Sequence, residues 1–378
     1  MVKKLLWCVI VYVLSFSGCA SKSSDPNEIL IGEYGSLTGT TANFGMSVKN
    51  GIDMAVDEVN AGGGVLGKKV RVIVEDDQGK PEEAQTVVTR LITRDRVVAV
   101  LGEVSSSRSL AAAPVCQQNR IPMITPSSTN PRVTQVGNYI FRVCFIDPFQ
   151  GYVMARFAAN TLKLTDVAVL RDIKNDYSVG LADVFIENFT KMGGRIVADE
   201  SYSEGDNDFS AQITLLKSKS PQAIFIPGYY TEAGLIARQA RNQGITVPLL
   251  GGDGWDSGSL WEIGGEALND CYYSSHYSYK DPSPVVQSFV TKYNERFKQL
   301  PDTNAVLGYD AACLLFDAFR RAGSVEPMRV RDALAATQAF TGVTGKIAMD
   351  QNRNALKPAV ILKIKDGDFQ YVETIAPQ

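Results

Sequence analysis

The residues whose types and spacing suggest chemistry lie in the stretch 102–134, GEVSSSRSLAAAPVCQQNRIPMITPSSTNPRVT. It holds two hydroxyl-rich loops, Ser105-Ser106-Ser107 and Ser127-Ser128-Thr129. Each follows a short apolar run, 97–101 and 121–125, of the kind that forms a buried strand. One helix-length segment, 107–118, separates the runs, so the stretch predicts a parallel βαβ unit. Ligands of parallel sheets sit outside the carboxyl ends of the strands, which would open both loops onto one crevice. Ser and Thr also cap helices and fill turns, but two such loops at one sheet edge favour a site. Hydroxyls and backbone N–H groups at a helix start suit an anion such as a carboxylate. Tyr229-Tyr230 follows the apolar run 223–226, and Gly251-Gly252-Asp253-Gly254-Trp255-Asp256 follows 247–250, so both loops can face the crevice from a second sheet. An acidic side chain opposite an anion cradle fits a ligand with a carboxylate and an ammonium, such as an amino acid, because either charge left unpaired on burial is costly. A turn aspartate and a core tyrosine are the plainer readings of Asp253 and Tyr229.

Other chemistries find little support. The chain has one histidine, His276, among Tyr272, Tyr273 and Tyr277, and one histidine cannot build most nucleophile–base or His-rich metal sites. It is expected at the surface or between lobes. There is no GxxxxGKS/T, HExxH or GxSxG motif, and no CxxC or Cys/His cluster, so neither a metal, a cofactor nor an enzyme is expected. Gly62-x-Gly64-x-x-Gly67 matches the dinucleotide string, but it follows a helix and precedes a strand, the reverse of the required context, and reads as a loop. Asp76-Asp77 and Glu82-Glu83 read as solvated loop and helix-start charges. A formal charge of −3 gives no basis for binding nucleic acid, and 45% hydrophobic with 21% charged residues is an ordinary globular composition.

The first residues read as a leader. Lys3 and Lys4 precede an apolar run, 5–16, of signal-peptide length. Phe16-Ser17-Gly18-Cys19 resembles a bacterial lipobox, with Phe16 where an aliphatic residue is usual. This predicts a signal peptide over 1–18, an acylated Cys19 and a polar tether over 19–28; an ordinary secretory peptide is the alternative. Of the remaining cysteines, Cys116 and Cys313 lie in apolar helical contexts and are expected as buried free thiols. Export would permit a disulfide among these two, Cys144 and Cys271, and the sequence does not choose one.

The elements that must position the loops follow in two series. The first has strands at 29–34 and 70–75 and helices at 44–60 and 81–94, before the βαβ unit. After an aromatic-rich segment, 139–149, come helices at 149–162, 179–192, 209–218 and 232–243, and strands at 167–170, 196–202, 223–226 and 247–250. Helices at 284–298, 305–321 and 325–337 and strands at 347–349 and 359–364 close the chain. The alternation predicts an α/β protein of two doubly wound, Rossmann-like lobes with a cleft between them.

Over 29–369 the chain resembles the leucine/isoleucine/valine-binding proteins of branched-chain amino-acid ABC importers. The resemblance rests on the order and spacing of Gly35-Ser36-Leu37-Thr38-Gly39, Val104-Ser105-Ser106-Ser107, Ile124-Thr125-Pro126-Ser127-Ser128-Thr129-Asn130-Pro131, Asp208-Phe209-Ser210, Gly228-Tyr229-Tyr230 and Ala240-Arg241. It implies a type I periplasmic binding protein with a three-crossover hinge. Residues 29–145 plus 277–348 would form the N-terminal lobe and 146–276 plus 349–378 the C-terminal lobe. Ser105 and Thr129 resemble hydroxyl ligands of the amino-acid carboxylate and ammonium. Ser127 resembles a position that contributes backbone groups, Tyr229 an aromatic near the ammonium, and Tyr177 a second-lobe tyrosine that closes on the ligand. Asp253 stands where the best-known members have Glu, and Phe44 where they have Tyr or Trp; with Trp255 it would line the side-chain pocket. A disulfide of some members is missing, its positions matching Gln78 and Val104. The resemblance further implies a monomer, exported and lipid-anchored in the periplasm or at the cell surface, that delivers a branched-chain or other aliphatic amino acid to a permease. Relatives bind aromatic acids, amides or urea on the same fold. Sensory receptors share it too, but usually continue into a transmembrane helix and signalling module, which do not follow here before Gln378.

Overall fold

A computed structural model of the chain describes residues 27–377; the leader, Cys19 and most of the tether lie outside the described residues. The first lobe begins β1 (Glu28–Gly35), α1 (Ala42–Ala61), β2 (Lys69–Asp76), α2 (Pro81–Thr93), β3 (Val100–Leu101), α3 (Ser106–Asn119), β4 (Met123–Thr125), α4 (Arg132–Gln135) and β5 (Ile140–Arg142). Its five strands are parallel in the order β2-β1-β3-β4-β5. The inner strands β3 and β4 are fully buried apolar runs, whereas the edge strand β2 alternates and is partly exposed.

The second series is α5 (Asp147–Arg156), β6 (Asp166–Asp172), α6 (Asp176–Lys191), β7 (Arg195–Tyr202), α7 (Ser210–Ser218), β8 (Ala223–Ile226), α8 (Tyr230–Asn242), β9 (Leu249–Gly251), α9 (Gly258–Gly264) and β10 (Tyr272–Ser275). Its parallel strands run β7-β6-β8-β9-β10, the same winding as the first sheet. The chain then forms α10 (Pro284–Phe297), α11 (Thr303–Ala322) and α12 (Pro327–Ala335), a small antiparallel sheet of β11 (Phe340–Gly342), β12 (Gly345–Met349) and β13 (Ala355–Leu356), and a hairpin of β14 (Ala359–Lys365) and β15 (Asp368–Ile375). β14 pairs antiparallel with β10, so the hairpin extends the second sheet.

α11 packs along α1 with backbones almost touching. A Cβ on Gly51 would fall 1.9 Å from the Ala305 carbonyl oxygen, so only glycine fits. Of the apolar residues spaced four, four and three along α1, Val48, Ile52 and Val56 are buried and Val59 is partly buried. The glycine string 62–67 is the loop between α1 and β2. Among the described residues no helix is long and apolar enough to cross a membrane.

Three expectations need correction. Asp77 is not solvated: it is buried, accepts a hydrogen bond from the Ser36 hydroxyl at 3.0 Å, and burial pushes its carboxyl up to about 7. Cys313 is only partly buried, whereas Cys116, Cys144 and Cys271 are buried; all four are free thiols. Strands β5, β10, β11, β13 and β15 form where the sequence pattern indicated none. β5 is three residues long, β10 reads Tyr-Tyr-Ser-Ser, and β15 is an edge strand whose residues are mostly half-buried.

Candidate functional site

In each sheet the strand order reverses once, between β1 and β3 and between β6 and β8, and such switch points open a crevice at the strand ends. The expected residues lie there in matching places. Phe44 follows β1, Ser105 follows β3, and Ser127 and Thr129 follow β4; Tyr177 follows β6, Tyr229 follows β8, and Asp253 follows β9. The two sets face each other, and none of the seven is more than 6% exposed.

The first jaw is a hydroxyl surface on a rigid polar base. Ser105 occupies the N-cap position of α3, yet its side chain makes no capping bond. Its backbone N–H donates instead to the Glu103 carboxylate. That carboxylate also accepts from the Ser36 N–H and hydroxyl at 3.2 and 3.0 Å, and pairs with the Arg108 guanidinium at 3.1 Å. The protein's own anion thus takes one of the helix-start donors that the sequence pattern offers to a ligand. The other hydroxyls divide by task. Ser106 accepts from the Asn130 N–H, and Ser128 bonds the Glu103 and Val104 carbonyls. Arg142 holds the second loop from beneath through the Ser128 and Asn130 carbonyls. The Thr129 hydroxyl is fully buried without a hydrogen-bond partner.

The second jaw is aromatic with one carboxylate. The Tyr177 and Tyr229 rings stack at 5.4 Å with 9° between planes, and Phe44 stands edge-on to Tyr229 at 5.4 Å and to Tyr230 at 4.8 Å. The Tyr177 hydroxyl accepts from the Gly254 N–H at 3.1 Å and so fixes the Asp253 loop. A Cβ on Gly254 would lie 2.7 Å from the Gly228 carbonyl oxygen. Asp253 takes a hydrogen bond on each oxygen, from Gln150 Nε2 at 2.7 Å and in a contact with His276 Nε2 at 3.0 Å. Trp255 departs from expectation: its indole is fully buried in the second lobe's core and donates to the Ile226 carbonyl at 3.0 Å.

The jaws are shut. Ser107 exchanges hydrogen bonds with Asp176 at 2.9 and 3.0 Å, and Asn130 and Arg132 reach the same residue. On the other flank Tyr230 and Thr231 donate to the Thr40 carbonyl at 3.0 and 2.8 Å, and Ser257 to Asn43 at 2.7 Å.

Sequence reasoning missed Glu103, Arg108, Asp147 and Gln150. His276 takes the second of its two expected places, between the lobes and not at the surface. It is buried, stacked on Phe145 at 3.7 Å, and burial lowers its pKa to about 4, so the ring is neutral at pH 7. Asp147 follows β5, its N–H donates to the Thr129 carbonyl at 3.0 Å, and neither carboxyl oxygen has a hydrogen-bond partner. Burial pushes it up to about 8; the nearby Thr129 hydroxyl opposes the rise, and the charge of Asp253 adds to it. No sequence signal marked Asp147 or His276, because the strands they follow, β5 and β10, are not indicated by the sequence pattern.

Two lobes of like winding, three passages between them and a shut cleft at the switch points define a type I periplasmic binding protein. The periplasmic binding protein family profile matches residues 28–368. The leucine-binding protein LivK of Thermotoga maritima is 41% identical, with a TM-score of 0.89 over 92% of this chain and 99% of that one. The branched-chain amino-acid transporter substrate-binding protein LivJ of Streptococcus pneumoniae, solved with isoleucine, is 34% identical, with a TM-score of 0.88 over 93% and 100%. A solute-binding protein of Rhodopseudomonas palustris, solved with 3,4-dihydroxybenzoic acid, is 26% identical, with a TM-score of 0.83 over 93% and 97%. The chain belongs to the periplasmic binding protein family, among the branched-chain amino-acid-binding proteins.

Proposed function

We propose that this protein captures a branched-chain or other aliphatic α-amino acid between its lobes and delivers it to an ABC permease from a lipid anchor on Cys19. The observation that carries the reading is a buried carboxylate, Asp253, held by two donors in the second lobe's cleft loop, with the hydroxyl loop Ser127–Thr129 in the matching place of the first lobe. In this reading Ser105 binds the ligand carboxylate, Thr129 and Asp253 bind the ammonium, and Ser127 contributes backbone groups. Tyr229 covers the ammonium end, Phe44 meets the side chain, and Tyr177 closes from the second lobe. Binding works by stabilising the closed form over the open one. The lobes divide at the expected crossovers near Phe145, Tyr277 and Met349, and the protein acts as a monomer. Calorimetric titration with Leu, Ile, Val, Ala, Phe and benzoate tests the ligand: the aliphatic amino acids should bind most tightly, and preference for benzoate would refute the assignment. Cys19→Ser should move the protein from the membrane to the soluble fraction; retention on the membrane would remove the anchor from the account.

A second reading, an aromatic acid, draws on the rings of Phe44, Tyr177 and Tyr229 and on the dihydroxybenzoate-bound relative. It is the weaker one, because such a ligand brings no cation to Asp253.

A further inference from the structure

We infer that Gln150 and His276 are positioning residues that aim the Asp253 carboxylate at the ligand's ammonium and so determine selectivity for an amine. The inference rests on Asp253 as the ammonium partner and adds what holds it in place. Asp253 belongs to a loop, and its carboxyl could turn. Two donors from different elements prevent that: Gln150 Nε2 from α5 at 2.7 Å on Oδ1, and His276 Nε2, just past β10, at 3.0 Å on Oδ2. All three side chains are buried. A neutral imidazole carries one N–H, and facing an acceptor places it on Nε2. The other nitrogen, Nδ1, is then a bare acceptor, and it is buried without a hydrogen-bond partner. Stacking on Phe145 at 3.7 Å fixes the ring plane. Each carboxylate oxygen has more than one acceptor direction, so both donors can stay while a ligand cation approaches. Buried hydrogen bonds to a charged group are the strong ones, so the pair holds a rotamer as well as a charge. Both donors sit where the chain crosses between lobes, Gln150 soon after β5 and His276 directly after β10. The amine partner is therefore anchored to the hinge and not to the moving rim.

The test compares leucine with isocaproate, the leucine skeleton without its amine, on purified wild type, Gln150→Met and His276→Phe. Met keeps the length of Gln and Phe keeps the stack on Phe145, while each removes the donor. Each variant should lose about 10- to 100-fold in leucine affinity and leave isocaproate affinity unchanged. In an Asp253→Ala background neither substitution should cost anything more. Equal losses for the two ligands, an unchanged leucine-to-isocaproate ratio, or additivity with Asp253→Ala would overturn the inference. If wild type itself does not prefer leucine over isocaproate, the reading of Asp253 fails first. If one variant does not fold, the other decides the question alone.

Discussion

The two lobes offer the same loops to the cleft and fill them with opposite chemistry. After the first, third and fourth strands of its winding, one lobe supplies Phe44, Ser105 and the Ser127–Thr129 loop, whereas the other supplies Tyr177, Tyr229 and Asp253. The first jaw is neutral at its surface because its charges are paired beneath it, Glu103 with Arg108. The second jaw carries its charge at the surface of the cleft and surrounds it with rings. Two buried acids repeat the contrast. Asp147 and Asp253 are both buried acids, but Asp147 has no donor on either oxygen, and burial raises it to about 8. The rise favours its neutral form, while Asp253 has a donor on each oxygen. A shared fold therefore fixes where a cleft residue stands, and the hydrogen bonds behind it decide what it does.

The largest expected effect breaks this contrast outright. Asp253→Ala should cost about 2–5 kcal/mol of amino-acid binding, the loss typical of truncating one partner of a buried charge pair. Affinity for deaminated analogues should hardly change in the same titration, and equal loss for both would make Asp253 structural. Thr129→Val, which keeps the shape and removes the orphan hydroxyl, should cost about 1.5–3 kcal/mol toward amino acids.

Much of the cleft is legible in the residues alone. Ser105, Ser127, Thr129 and Tyr229 stand out because each follows an apolar run long enough to be a strand. Gln150 and His276 do not, because their role depends on meeting Asp253 across 103 and 23 residues of chain. Asp77 misleads, since a carboxylate beside another in a loop looks solvated until Ser36 and Glu103 close over it. β10 hides because its alternate residues, Tyr273 and Ser275, are buried together with Ser274 between β9 and β14.

Smaller effects sharpen the comparison. Tyr230→Phe removes one latch to Thr40 and should cost about 0.5–1.5 kcal/mol of ligand binding by weakening the closed form. Small-angle scattering of the unliganded variant should report a more open mean shape.

The pH dependence of stability separates the two buried acid–base groups. The Asp147 pKa rises on folding from 3.8 to about 8, so its contribution is full below pH 4 and is lost as pH rises toward 8. Asp147→Asn should therefore gain in melting temperature over wild type progressively across that window. The His276 pKa falls on folding from 6.5 to about 4, so its contribution is present above pH 6.5 and is lost on acidification toward 4. His276→Phe should flatten that acid limb. Parallel curves for variant and wild type would contradict either assignment.

The central claim is that Ser105 in one jaw takes the ligand's carboxylate, while Asp253 in the other jaw and Thr129 take its ammonium. Calorimetry of the wild-type protein with leucine, isocaproate and isoamylamine, which carries the amine without the carboxylate, tests it most directly. The account predicts that leucine binds at least about 100-fold more tightly than either half-ligand, because each leaves a buried polar partner unpaired. Isocaproate or isoamylamine binding as tightly as leucine would contradict it.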